Sequence, residues 1–539
     1  MLVNRRSLIV TATMGMGALA LPGFAQTAHV GRLTGFTHSV ASGEPAADSM
    51  LFWTRYVPPG GDAATVRLEV SEGAEFTRIV AGAEQVTGPW RDHTVKLTVA
   101  GLSPATSYHY RFIGPDGSMS PVGRTKTLPR GRSARFGIAV FSCSNLPYGW
   151  FNAYGHAAER EDIDLAVHLG DYFYEYAKGG YAPAGGAVGG RWPEPAGELL
   201  ALADYRLRHA SYRADPDLQR LHQLKPMVVQ WDDHESANDS WEGGAENHQT
   251  NEGDWSARRQ ASIQAYREWM PVSDTPWGSY AIGTLATLFR TESRLLARTR
   301  PPELATLLTQ PDSAAALRRF HDGAWQDPAA TMLGRPQEVW LDQAIRASVA
   351  AGTRWQVVGF GTIMGDVRTP ATAIEWLPPD APAAARARIA GRIAAARAGL
   401  PSNMDAWGGY PAARRRFLAG AQAAGASLIV LAGDSHNGWA FDLAQDGKAA
   451  GVEFAGQSVT SPGYENAFRT DPKVIAAALV AANPELKWCD TSRRGYMALT
   501  LTPTRASNDW VFVDTVTERR TAASLGHTAV VEHGRNRMG

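Results

Sequence analysis

The sequence predicts a large α/β domain preceded by a small all-β domain, and two patterns carry that prediction. From about residue 135, short apolar runs rich in β-branched residues alternate with longer helical stretches, as expected where helices cover sheets. Ahead of that, over 33–128, short strand-like runs recur with Gly, Pro and Asp between them. A third observation bears on chemistry: four of the later runs end in residues able to hold a metal ion.

Taken in order, residues 1–28 read as an export signal. Arg5 and Arg6 precede the modestly apolar "SLIVTATMGMGALALPGFA", with small residues around Gly23 and Ala25 where a signal peptidase could cut. Glycines, threonines and Pro22 make this run a poor membrane anchor, and the paired arginines favour twin-arginine export of an already folded protein. No other stretch is long and apolar enough to span a bilayer. Next, "SMLFWTRY", "ATVRLEVSEG", "HTVKLTVAGL" and "TSYHYRFIG" fit a sandwich of the fibronectin type III kind over 33–128. The basic, turn-rich "TLPRGRSARF" (127–136) reads as the linker.

Within 135–520, "RFGIAVFSCSN", "DLAVHLGDYFYEY", "KPMVVQWDDHE", "GTLATLFRTES", "RWQVVGFGTIM" and "SLIVLAGDSHNGW" read as buried strands. Helices are expected between them, in stretches such as "GELLALADYRLRHASYR", "DWSARRQASIQAYREWM" and "YPAARRRFLAGAQAAG". "GYMALTLTPTR" and "DWVFVDTV" read as closing antiparallel strands, and 521–539 as a C-terminal tail. Lys+Arg and Asp+Glu both number 53, a balance that argues against a nucleic-acid binder. The two cysteines, Cys143 and Cys489, could form one disulfide in an exported chain, unless Cys143 has other work.

The four polar strand ends supply that work. They carry Cys143; Asp171 and Tyr174; Asp232, Asp233, His234 and Glu235; and Asp434 and His436. Ligands gather at the carboxyl ends of strands in open α/β sheets, and four such ends are poorly explained as helix caps. Adjacent carboxylates at a buried strand end repel each other and call for a cation. If the chain stays extended there, Asp233 and Glu235 share one side, and Asp232 and His234 the other. Carboxylates suit hard cations such as Ca²⁺, Mg²⁺ or Mn²⁺, imidazole suits Zn or Fe, and thiolate with tyrosinate favours ferric iron.

These motifs resemble those of metallophosphoesterases related to purple acid phosphatases, and more closely the PhoD-type alkaline phosphatase family. The resemblance runs through "FTHSVASGEPAADSMLFWTRY", "FSCSN", "HLGDYFYEY", "LKPMVVQWDDHESAND", "DAWGGYPAARRRFL", "LAGDSHNGWAFDL" and "RRGYMALTLTP", in that order. It implies a four-layer αββα phosphoesterase domain behind the β-domain, with Fe³⁺ and Ca²⁺, the latter in more than one copy. Carried over by position, Cys143, Tyr174 and His436 would hold iron. Asp171 would bridge iron to its neighbour, and Asp233, Glu235 and Asp434 would bind hard cations. His234, with Asp171, would be catalytic, facing phosphate or protonating the leaving group. Asp232, Asn238 and Arg493 are candidates for supporting the site or touching phosphate. Two departures stand out. Glu292 and Ser293 replace an expected Asp-Thr before Arg294, which puts a phosphate contact there in doubt, and Ser144 stands where a glutamine would fit the pattern.

The implied activity is exported, metal-dependent hydrolysis of phosphate mono- and diesters by a metal-bound oxygen nucleophile, with no Gly-x-Ser-x-Gly elbow to suggest a phosphoserine. The expected partners are a phosphate ester substrate and the twin-arginine export machinery. One alternative is a phospholipase D-like phosphodiesterase on the same fold, with the glycine-rich 177–192 as rim or lid. Another, of a different class, is a secreted binding protein with structural metals.

Overall fold

The computed structural model describes residues 33–183 and 185–539; the expected export signal lies outside them. The N-terminal region supplies β1 (Gly35–Gly43), β2 (Ser49–Val57), β3 (Ala64–Ser71), β4 (Ile79–Thr87), β5 (Thr94–Ala100), β6 (Ser107–Ile113) and β7 (Gly123–Lys126). After them come β8 (Phe136–Phe141), β9 (Leu165–His168), β10 (Pro226–Val229), β11 (Gly278–Ile282), β12 (Ala286–Arg290), β13 (Trp355–Gly359) and β14 (Leu428–Ala432). The chain closes with β15 (Gly438–Gln445), β16 (Lys448–Ala455), β17 (Leu486–Asp490), β18 (Gly495–Leu501), β19 (Arg505–Val513) and β20 (Ala523–Glu532).

Two sheets face each other in the centre. One runs β20-β19-β18-β8-β9-β10-β1-β2-β5 and the other β11-β12-β13-β14-β16-β15-β17. Strand alternation sets which side chain meets which layer. Along β14, Ile429 and Leu431 enter the core between the sheets, where they join Ile138, Val167 and Val228, while Leu428 and Val430 face outward. Each such buried aliphatic contributes about 1.5–3 kcal/mol. The outward side of the seven-stranded sheet is covered by helices Arg335–Ala350 and Pro411–Ala424, through Leu341, Ile345 and Leu418. The nine-stranded sheet is covered by Leu202–Arg213 and Pro216–Leu224, through Tyr205, Leu218 and Leu221. The layers are therefore helix, sheet, sheet, helix, as the sequence leads one to expect. Local signals start the helices: Asp215 caps Pro216–Leu224 by accepting from the backbone N–H of Asp217 and Leu218 (both 2.9 Å), with Pro216 at the first position.

The N-terminal all-β region packs β4-β3-β6-β7 against β1-β2-β5 around Val40, Phe52, Val66, Leu68, Tyr110 and Phe112. Its second layer continues the large sheet, because β1 pairs in parallel with β10 (Ser42 opposite Pro226, Gly43 opposite Met227). One correction concerns the C-terminus. Most of the expected tail over 521–539 is β20, paired antiparallel along β19 with Val531 and Ala529 buried. Its exposed face is polar enough to hide the strand period from the sequence. Among the described residues, no helix is long and apolar enough to cross a membrane.

Candidate metal centre

β8, β9 and β10 lie side by side and parallel, as do β12, β13, β14 and β16 in the facing sheet. Their carboxyl ends open on one rim, and the loops there are sharply bent. Cys143 (φ 61°), Asp171 (φ 54°), Asp239 (φ 48°), Asp434 (φ 62°) and His436 (φ 59°) all take left-handed backbone conformations. For residues other than glycine this costs of order 1 kcal/mol or more each, and such strain concentrates at functional sites. Cross-loop bonds hold it: the Cys143 N–H donates to the Gly170 carbonyl (3.2 Å) and the Ser144 N–H to the Asp171 carbonyl (2.9 Å). Close approach also demands glycine. A Cβ on Gly361 would sit 2.0 Å from Asp232 Oδ1, and one on Gly170 would sit 2.4 Å from the Asp232 nitrogen.

The bends gather donor atoms into overlapping groups whose members lie within 4.8 Å of one another. Cys143, Asp171 and His436 make the first; Asp171, Asp232, Asp233 and Asp434 the second; Asp171, Asp233 and His234 the third; and Asp233, Asp239 and Asp405 the fourth. Asp171 belongs to three of them and so stands where a bridging ligand would. Tyr174 completes the first group: its Oη is 3.4 Å from Asp171 Oδ2 and 3.1 Å from His436 Nε2, and it accepts a 2.6 Å bond from Ser461 Oγ. The His436 Nδ1–H donates to the Pro462 carbonyl (2.9 Å), which leaves Nε2 unprotonated and facing the group.

Charge makes the same point. Two like charges 4.8 Å apart repel by about 3.5 kcal/mol even at an effective dielectric of 20. Among the described residues the compensating groups are Arg294 and His234, with Arg298 behind them. The Arg294 guanidinium bonds Asp232 (2.6 and 2.9 Å) and Asp405 (2.6 Å), and Arg298 holds the other Asp405 oxygen (2.6 Å). This is too little for so many carboxylates. Burial pushes the Asp171 and Asp434 carboxyls and the Cys143 thiol well above their ordinary pKa values. Burial and the Asp405 carboxylate push Asp239 up to about 8. Burial acts the same way on Asp233, but Arg294 and His234 overcome it and hold that carboxyl low. His436 is pulled down to about 3 by burial and is neutral, as a ligand must be. Asp171 Oδ1 and Asp233 Oδ1 are buried without a hydrogen-bond partner. Orphaned carboxylate oxygens beside a thiol, a phenol and an unprotonated imidazole fit metal cations, hard at one end of the site and softer at the other.

His234 sits on the rim of this cluster. Its Nδ1 donates to Glu175 Oε2 (2.8 Å), and its ring centroid is 4.1 Å from that of Tyr174. Glu175 in turn accepts from the Asn238 N–H and the Asn247 side chain (both 2.8 Å). Burial opposes protonation of His234, but the carboxylates of Asp233, Glu175 and Asp171 prevail and raise its pKa well above the ordinary value. Tyr181, from the glycine-rich stretch, stacks on Tyr174 (centroids 5.6 Å apart, planes at 5°).

Cys143, Asp171, Tyr174, Asp233, His234, Asp434 and His436, all expected from the sequence, are thus brought together, and Asp232 joins them more closely than a supporting role implies. Three expectations change. Glu235 does not share a side with Asp233, because the chain leaves the extended form after Val229 and turns at Asp233, where the Ser236 N–H bonds the Asp233 carbonyl (2.7 Å). Its carboxylate instead accepts the N–H groups of Asp171 (3.1 Å), Tyr172 (2.6 Å) and Asp232 (2.8 Å), and is a clamp between loops. Arg493 points outward into an ion pair with Asp490 (2.8 Å) and lies on the Phe512 ring. Its neighbour Arg494 reaches the site, donating to the His436 carbonyl (2.8 Å). The Asn238 side chain is taken by Glu246 (3.0 Å). Arg294 is fully buried, its guanidinium taken up by Asp232 and Asp405. Cys143 and Cys489 are both free thiols. Sequence reasoning missed Glu175, Asp239, Asp405 and Arg298.

Residues 138–510 match the family model for the PhoD-like phosphatase, and residues 23–129 the model for the PhoD-like phosphatase N-terminal domain. The chain belongs to the PhoD-like phosphatase family. It is 32% identical over 516 residues to alkaline phosphatase D of Bacillus subtilis (strain 168), a match spanning 91% of this chain and 79% of that protein. A solved structure of PhoD superposes with a TM-score of 0.75 at 28% identity, over 96% of this chain and 93% of that one. The purple acid phosphatase PPD1 from yellow lupin (Lupinus luteus) seeds shares the fold, with a TM-score of 0.52 at 12% identity over 92% and 73% of the two chains. The PhoD-like chain described here is a metal-dependent phosphoesterase, a phosphoric ester hydrolase. The binding-protein alternative falls away.

Proposed function

We propose that this enzyme is exported and hydrolyses phosphate mono- and diesters at a mixed site of ferric iron and calcium. The observation that carries the proposal is the position of Asp171, between a thiol–phenol–imidazole group and an all-carboxylate group. Cys143, Tyr174 and His436 have the donor chemistry for iron, and Asp232, Asp233 and Asp434 that for calcium. Bound there, the cations would neutralise charge on the phosphoryl oxygens and acidify the attacking water.

The chain's own residues do the rest. Glu175 keeps the His234 ring in one orientation through Nδ1, so that Nε2 can deliver a proton to the departing ester oxygen. Ser461, by donating to Tyr174 Oη, favours the anionic phenol needed in a ligand. Arg294 holds Asp232 in register. The paired arginines near the N-terminus support export through the twin-arginine route.

Elemental analysis with an optical spectrum of the purified enzyme tests the metal assignment. A tyrosinate-to-iron absorption band, lost in Tyr174→Phe, with calcium present is the expected result; zinc alone would overturn it. Turnover of a bis-ester, a mono-ester and a phospholipid under one condition separates the general phosphoesterase from the phospholipase D-like alternative. A trapped phosphoseryl enzyme would contradict direct attack by water.

A further inference from the structure

We propose that His168, Tyr154 and Ser144 form a positioning relay that locks the Cys143 loop to the Asp171 loop and so sets how tightly the centre holds its metals. The proposal rests on the metal-centre reading above, but none of the three residues is a candidate ligand.

The direction of the relay follows from its hydrogen bonds. The Gly170 N–H donates to His168 Nδ1 (3.3 Å), so Nδ1 carries no proton and a neutral ring must carry it on Nε2. Burial pulls the His168 pKa down to about 3, in keeping with a neutral ring. Nε2–H then donates to Tyr154 Oη (2.8 Å), and the Tyr154 hydroxyl donates to Ser144 Oγ (2.6 Å). The Ser144 hydroxyl is left to face the carbonyls of Tyr172 (3.4 Å) and Asp171 (3.5 Å). The chain of bonds starts one residue before Asp171 and returns to its carbonyl, passing the residue next to Cys143. All three side chains are buried, with exposures of 1% or less. In such surroundings each unmade bond costs about 1–3 kcal/mol, so the ring of bonds is stiff.

Stiffness matters because of what it holds. Cys143 and Asp171 both occupy left-handed backbone conformations, which relax unless neighbouring structure over-determines them. Glu235 clamps the Asp171 loop from the β10 side; the relay clamps it from the β8 side. The same geometry gives Ser144 a purpose. The serine side chain is short enough to meet the Tyr154 hydroxyl at 2.6 Å. Supports behind a metal site of this kind typically change affinity or activity by 10–100-fold when removed.

The test uses the full chain, metal-loaded and chelator-treated. Tyr154→Phe removes one oxygen and leaves the ring against Phe141 and Phe151 (centroids 4.9 and 5.5 Å away). Metal affinity is measured by chelator competition with elemental analysis, kcat and KM on one small ester, and melting temperature on the chelated protein. The relay predicts roughly 10–100-fold weaker metal retention and lower kcat with KM within about twofold, while the chelated protein, with one or two buried bonds unmade, melts only a few degrees lower and is fully folded at the assay temperature. Ser144→Ala, which breaks the other end, should show the same pattern and keeps the proposal testable if Tyr154→Phe folds poorly. Unchanged metal retention in either folded variant overturns the relay, as does a loss of melting temperature in the chelated protein that accounts for the lost activity. If wild type itself retains no metal, the metal-centre reading fails instead, and the two failures are distinguished by that control.

Discussion

Replacing Glu235 by alanine separates a clamp from a ligand, because the two roles predict opposite effects on the metal-free protein. As a clamp, the carboxylate satisfies three buried N–H groups, those of Asp171, Tyr172 and Asp232, at 2.6–3.1 Å. Removing it strands three donors at about 1–3 kcal/mol each. Allowing water to reach one of them, the expected loss is about 3–5 kcal/mol, a large share of a typical stability. The assay is urea denaturation of chelated and metal-loaded protein, with ΔΔG taken from the shift in midpoint at unchanged slope. The clamp lowers both midpoints. A ligand would lower only the metal-loaded one, and deleting an unpaired buried carboxylate would leave the chelated protein as stable as before or more so. A chelated Glu235→Ala protein within about 1 kcal/mol of wild type would refute the clamp.

Arg294→Met should destabilise the protein by about 3–5 kcal/mol, since it leaves Asp232 and Asp405 buried without their counter-charge. Adding Asp232→Asn should recover part of that loss in a double-mutant cycle followed by denaturation. His234→Ala should lower kcat by about 10²–10⁴-fold on alkyl esters and far less on nitrophenyl esters, whose leaving groups need no proton. Because nearby carboxylates raise the His234 pKa against burial, the acid form persists above the usual histidine range and activity is lost as pH rises through the raised value. Glu175→Gln removes one of those carboxylates, so the basic limb of the pH–rate profile should move to lower pH. Deleting 521–539 should lower the melting temperature and promote aggregation, because it uncovers the edge of β19 and exposes the surface packed by Val531.

The fold class was legible because it is written in local periodicity. The strand runs and the helices between them are where the sequence pattern places them. β20 was not legible, because its side chains alternate too weakly in polarity to separate a strand from a tail. At the site, residue chemistry was legible wherever a strand stopped in an unusual polar group, which marks Cys143, Asp171, Tyr174, Asp233, Asp434 and His436. Geometry was not. Glu235 turned away from Asp233 because of one turn there, and a turn of that kind rests on bonds to loops far away in the chain.

By itself, then, the sequence determined which candidate donor residues this protein gathers, and through the order of its motifs the family to which it belongs. Only the tertiary structure decided how those donors are shared. The order β8-β9-β10 in one sheet, with β14 in the sheet facing it, sets Asp171 between two kinds of candidate donor group. Arg294 and Arg298 come from the loop after β12, and Asp405 arrives from beyond β13; nothing local marks their meeting. The physical reason is that propensity and polarity act over a few residues, whereas buried charges find their partners only when distant strands have already packed.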